Sequence, residues 1–152
     1  MAASCNYVGA GDGCSFRLNN NNVTRLTTAL PQLENLLLGH PCHRNTCATT
    51  VAYFLPISVQ CLNLGRLEIH FNTTDIAGDF ESALGGPRFQ DTHSIPKSRL
   101  QLLCVKYTSL SLEPTKVYTV VDGLTNAFPC LECVEAHGHK WNDISKKLSA
   151  IN

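Results

Sequence analysis

The stretch Leu33-Glu34-Asn35-Leu36-Leu37-Leu38-Gly39 decides how the chain is read. Leucine stands at its first, fourth and sixth places, L-x-x-L-x-L, directly after Pro31-Gln32. The same spacing returns as Leu64, Leu67 and Ile69, as Leu100, Leu103 and Val105, and in softer form as Leu131, Val134 and Ala136. The first positions of these four stretches lie 31, 36 and 31 residues apart. An apolar signature returning every 20–50 residues or so is the mark of stacked structural repeats. Within each stretch the alternation predicts a short strand. Its apolar side chains point one way and the residues between them the other.

Helical patterns fill the intervals. Val23, Leu26 and Leu30 share a face, Asn22 is placed to cap the helix, and Pro31 ends it. Ala48, Val51, Ala52 and Leu55 predict a second helix ended by Pro56, leaving Ile57 to Leu62 as an apolar link into a strand over Leu67 to Phe71. Asp75 suits the cap of a third helix carrying Ile76, Phe80 and Leu84. After a strand over Leu102 to Tyr107, Pro114 suits the first turn of a fourth helix. Val117, Val121, Leu124 and Phe128 share a face of that helix, which Pro129 ends. His40 to Asn45 reads as a polar turn. Gly85 to Ser98, with its Gly-Gly-Pro and Pro96, reads as an exposed loop that lengthens the second interval.

The passage from helix to strand is itself repeated. Leu30-Pro31-Gln32-Leu33-Glu34 matches Phe128-Pro129-Cys130-Leu131-Glu132: an apolar residue, then Pro-x-Leu-Glu. After Gly138, the spacing of Trp141, Ile144, Leu148 and Ile151 predicts an amphipathic helix that covers the last strand. A stack of repeats needs such a lid, because its terminal unit has no neighbour. The expected organisation is a loop-rich segment over 1–22, about four irregular repeats over 23–140, and a capping helix over 141–152. The expected fold is an α/β solenoid with parallel strands on a concave side and helices outside.

Placed in register, the outward strand residues form rows. Asn35, Arg66, Leu102 and Cys133 make one; Leu37, Glu68, Cys104 and Glu135 the next; Gly39, His70, Lys106 and His137 the third. The rows mix charge, amide and apolar groups and converge on no acid, base and nucleophile. They suit a surface that holds another protein, with Asn35, Leu37, Arg66, Glu68, His70, Lys106, Glu135 and His137 as its contact residues; the same residues also fit a plain solvated face.

Composition narrows the field. Apolar residues make up 43% of the 152 and charged residues 16%, enough to drive folding around one core. Twelve basic residues balance twelve acidic ones, which argues against nucleic acid as the partner. Met1-Ala2-Ala3-Ser4-Cys5-Asn6 carries no basic region followed by an apolar run, so no signal peptide is expected, and no stretch is apolar for the length a membrane span requires. An intracellular protein, in cytoplasm or nucleus, with its eight cysteines as thiols, is the expectation.

Two chemistries compete with the binding surface. Cys130, Cys133, His137 and His139 have the ligand types of a structural zinc site, although the His-x-His gap is short and a strand over Leu131 to Ala136 would spread the ligands apart. Cys42, His43 and Cys47 form a weaker cluster of the same kind. Cys104 is the candidate nucleophile, should Lys106, His70 or His137 lower its pKa. The expectation is no catalysis, no bound metal and no cofactor. Gly9-x-Gly11-x-Gly13 precedes no helical pattern and is not read as a phosphate loop.

The repeated pattern resembles leucine-rich repeat proteins. More closely, it is similar to the C-terminal region of fungal F-box proteins with irregular repeats. The resemblance is carried by Leu30 to Leu36, by Leu62-Asn63-Leu64-Gly65-Arg66-Leu67-Glu68-Ile69-His70-Phe71, by Phe128 to Glu132 and by the closing Trp141 helix. It implies the target-binding part of an SCF-type ubiquitin-ligase receptor, whose F-box would grip the ligase adaptor. Residues 1–22 are too few for that three-helix module. The asparagine that usually follows the leucine pattern by three places stands only at Asn72; Pro41, Thr108 and His139 hold its place elsewhere, so irregular turns are expected.

Overall fold

The computed structural model of the chain describes residues 19–38, 50–69, 71–84, 96–105, 112–136 and 139–151. Among the described residues four short strands, β1 (Asn35–Leu38), β2 (Arg66–Ile69), β3 (Leu102–Val105) and β4 (Cys133–Ala136), form one parallel sheet in the order β1-β2-β3-β4. The register fulfils the sequence pattern. Leu36 pairs with Leu67, Leu67 with Leu103, and Leu103 with Val134, so the fourth place of each stretch is a consecutive rung. All four are buried on the core face. Fully burying one Leu or Val contributes roughly 1.5–3 kcal/mol, so these rungs are a large part of what holds the sheet.

Among the described residues five α-helices alternate with the strands: α1 (Asn20–Ala29), α2 (Phe54–Gln60), α3 (Ile76–Leu84), α4 (Lys116–Ala127) and α5 (His139–Ile151). Their buried faces and the inward strand residues make one continuous core, giving an α/β arrangement of sheet and helices. The core is centred on Phe54, whose ring lies 4.8 Å from Tyr53, 5.5 Å from Phe71 and 5.4 Å from Phe128 in edge-on geometry. Phe71 in turn meets Trp141 of α5 at 6.2 Å. Edge-on packing sets the positive ring rim against the negative face of its neighbour. No helix among the described residues is long and apolar enough to cross a membrane.

Three helices leave by one device. The residues after α1, α2 and α4 are Leu30, Cys61 and Phe128; each turns to an extended φ with ψ of 62°, 71° and 82° and donates its N–H to the carbonyl four residues back. The amides of Leu33, Leu64 and Leu131 then close on the carbonyls of Leu30, Cys61 and Phe128. The exit recognised twice in the sequence therefore occurs a third time without a proline, at Cys61. Successive units are joined just before each strand. Glu34 O accepts from Gly65 and Arg66, Gly65 O from Gln101 and Leu102, and Gln101 O from Glu132 and Cys133.

Several local expectations are corrected. Helix α1 begins at Asn20 with Asn19 as its cap, and buries Val23 and Thr27, while Leu30, beyond its end, is 41% exposed. Thr27 is tolerated inside because its hydroxyl donates to Gln60 Oε1 at 2.7 Å. Pro56 does not end the second helix. A 3₁₀ turn over Val51–Tyr53 leads into α2, which carries Pro56 in its first turn. A missing N–H costs nothing there, because first-turn amides have no helical acceptor. The supposed link, Ile57 onward, is the body of that helix, and Ile57 and Ser58 are buried in it. Ser98 is buried rather than exposed, its N–H donating to Ser58 O. Helix α5 starts at His139 rather than 141 and buries Trp141, Ile144 and Leu148, but Ile151 is 59% exposed. The turn 40–45 and most of the loop from Gly85 lie outside the described residues.

Candidate functional site: the outer face of the sheet

The outer face is fixed by strand alternation. In β1, Asn35 and Leu37 are exposed while Leu36 and Leu38 are buried. Parallel pairing carries that choice across the sheet: Asn35 sits beside Arg66, Arg66 beside Leu102, and Leu102 beside Cys133. The next row runs Leu37, Glu68, Cys104 and Glu135. Of the expected contact residues, Asn35, Leu37, Arg66, Glu68 and Glu135 are thus brought to one face in two adjoining rows. His70, Lys106 and His137 lie outside the described residues.

Leu37 is the exposed apolar member, 47% exposed on β1, the edge strand of the sheet among the described residues. Arg66 reaches along its own strand to Glu68, Nη2 to Oε2 at 3.6 Å, with the arginine open to solvent and the glutamate largely covered. An ion pair of this kind is worth about 0–1 kcal/mol, so it orients the two side chains more than it stabilises the fold.

Cys104 breaks the alternation. It points outward by register yet is only 2% exposed, because its row neighbours on either side are Glu68 and Glu135. Its Sγ donates to Glu135 Oε2 at 3.3 Å. Burial, and then the bond to Glu135, push the thiol up to about 11; the Arg66 charge opposes this and the carboxylates of Glu135 and Glu68 add to it. A nucleophilic thiol needs the reverse shift. The arrangement keeps Cys104 protonated at neutral pH, its proton directed at Glu135 with Glu68 as its register neighbour on the other side.

For the zinc alternative, Cys130 and Cys133 are both exposed thiols, in the turn before β4 and at its first residue. His137 and the His139 side chain lie outside what the structure describes, as does the Cys42, His43 and Cys47 cluster. Among the described residues no group of three His, Cys, Asp or Glu side chains is placed to hold a metal ion. Asn72, which holds the asparagine place of the repeat pattern, accepts from the Thr74 amide at 2.9 Å and the Thr74 hydroxyl at 2.6 Å, and so closes its own turn.

Sequence reasoning placed Cys104 and Glu135 in one row but missed that they bond. The signal was their direct adjacency by register, an acidic residue beside a thiol on a short parallel pair. Compared with protein-family models, curated proteins and solved structures, the chain matches none.

Proposed function

We propose that this chain is a protein-interaction module, an irregular leucine-rich-repeat solenoid that binds a partner protein across the outer face of its sheet. The observation that carries the reading is the register: the leucine stretches lie side by side as consecutive rungs, so the residues between them form ordered rows. Such rows offer Asn35, Leu37, Arg66, Glu68 and Glu135 together on one face of a hydrogen-bonded sheet. The mixture of one exposed leucine, an oriented arginine and carboxylates is the composition of a recognition surface, in which an apolar or arginine anchor is ringed by polar groups. The resemblance to fungal F-box proteins adds a role for that surface: holding the target of a ubiquitin ligase, with the F-box supplied outside this repeat region.

The test is capture with the purified chain from lysate of the source cells, with Leu37→Arg and Arg66→Glu as a paired variant. Both residues are exposed, so the variant retains the wild-type circular dichroism spectrum and unfolding midpoint. The expected result is loss of specific partners from the variant. An unchanged set of captured proteins would sink the sheet face as the binding site. Failure to recover a ligase adaptor in complexes of the native, full-length gene product would remove the ubiquitin-ligase role and leave the binding role standing.

A further inference from the structure

The helical layer carries a second surface unlike the first. Between α4 and α5 lies a groove of about 450 Å³ lined by Val117 and Tyr118 on one side and by Lys140, Asp143, Lys146 and Lys147 on the other. Helix α5 creates it by periodicity. Trp141, Ile144 and Leu148 turn inward, which leaves Lys140, Asp143 and Lys147, at i, i+3 and i+7, on the flank toward α4. The chain as a whole is charge-balanced, yet this groove holds three ammonium groups and one carboxylate. No salt bridge neutralises them: among the described residues the one ion pair is Arg66–Glu68, on the sheet. Lys147 Nζ instead stands over the Tyr118 ring, 3.9 Å from its centroid, and Tyr118 as a residue is 60% exposed. The Lys147 ammonium, through its hydrogen bond and its charge, also draws the Tyr118 phenol below its ordinary value. Lys146 borders a second depression, of about 400 Å³, on the β4 side of the same helix.

We infer that the α4–α5 groove is a docking site for an acidic peptide segment of a protein partner, its carboxylates met by Lys140 and Lys146 and an apolar side chain laid against Tyr118. Charge complementarity selects the occupant: an excess of unpaired cations around an exposed aromatic ring favours carboxylates next to an apolar group. Nucleic acid would call for a basic stripe that follows a backbone, and the balanced charge of the chain does not supply one. The continuation past Lys146 suits an extended segment rather than a single anion. This site is separate from the sheet face and stands whether or not that face binds a partner.

The experiment titrates the full chain with a fluorescein-labelled acetyl-Glu-Glu-Leu-Glu-Glu peptide, read by anisotropy and by amide shifts in nitrogen-labelled protein. The expected result is saturable binding that weakens with added salt, with shifts concentrated on α4 and α5 around Tyr118 and Lys146. Lys140→Glu with Lys146→Glu should weaken binding about tenfold or more, and Leu37→Arg on the sheet should leave it unchanged. Shifts confined to the sheet face, equal binding of the Gln-substituted peptide, or indifference to the double charge reversal would overturn the assignment. So would stronger binding of single-stranded DNA or of phosphatidylserine vesicles than of the peptide at equal salt. Both substituted lysines are on the surface, and circular dichroism of the double variant confirms that a lost signal is not lost folding.

Discussion

Cys104 on β3 donates its thiol proton to Glu135 Oε2 on β4 at 3.3 Å, and the two residues are register partners in the sheet. A side chain that alternation sends outward is thereby closed off from water by its own neighbours. Its proton is held more tightly in the folded chain than in the unfolded one, and this has a consequence at high pH. The folded thiol titrates at about 11, above the ordinary 9.0. Its contribution to stability is fully present below about pH 9 and is lost as pH rises through 11, because the unfolded state releases the proton first. Chemical denaturation between these limits should show a steeper fall in stability for the wild type than for Cys104→Ala. Parallel curves would show that the bond does not hold the proton.

The same bond protects the thiol chemically. Iodoacetamide at mildly alkaline pH should modify the exposed Cys130 and Cys133 first and Cys104 far more slowly. Glu135→Gln removes the charged acceptor and should speed Cys104, though burial would keep it behind the exposed pair. Peptide mapping of the alkylated chain decides; Cys104 reacting alongside Cys133 in the wild type would contradict the geometry.

Gly123 on α4 faces Phe80 on α3, and a methyl group added there would overlap the aromatic ring. Both are buried, so neither has room to give way. Gly123→Ala should destabilise the chain by about 1–3 kcal/mol through overpacking, against the usual helix-favouring gain of that substitution. Adding Phe80→Leu should recover part of the loss. A Gly123→Ala variant as stable as the wild type would mean the two helices do not approach this closely.

Leu36 and Leu37 are neighbours with opposite fates, 3% and 47% exposed. Leu36→Ala should cost about 2–5 kcal/mol, while Leu37→Ala should stay within about 0.5 kcal/mol. Urea unfolding of both variants tests the alternation on which the outer face depends; a register slipped by one residue would exchange the two results.

Helix α5 offers a matching contrast. Trp141, fully enclosed and edge-on to Phe71, should cost about 3–5 kcal/mol on truncation to Ala. Ile151→Ala should be nearly silent, since that side chain stands 59% in solvent. Equal losses would restore the sequence expectation that both share the buried face.

What the sequence made legible was the strands. The spacing of Leu33, Leu36 and Leu38, repeated three times, predicted both the pairing and the rows, because a period of two admits one solution once one face is apolar. Helix boundaries were less legible. Pro56 was read as a stop because proline ends helices from inside, whereas here it lies in the opening turn, where proline is equally at home. Leu30 and Ile151 fit the helical period but fall at the helix ends, where the wheel no longer decides burial. The central place of Tyr53 and Phe54 in the core is not legible in the sequence, since aromatic packing across distant segments leaves no periodic trace. The groove at Tyr118 was invisible for a related reason: it exists only once α5 lies beside α4, and neither helix announces it alone.

The joints between units are made by the carbonyls of Glu34, Gly65 and Gln101, each receiving two amides from the unit that follows. An acidic residue, a glycine and an amide do the same work, because the peptide group and not the side chain is the fastener. A fastener that is blind to side-chain identity lets each unit drift in composition without loosening its neighbours. The side chains at those junctions are therefore free to diversify, and a chain of this design is able to acquire new surfaces on an old frame.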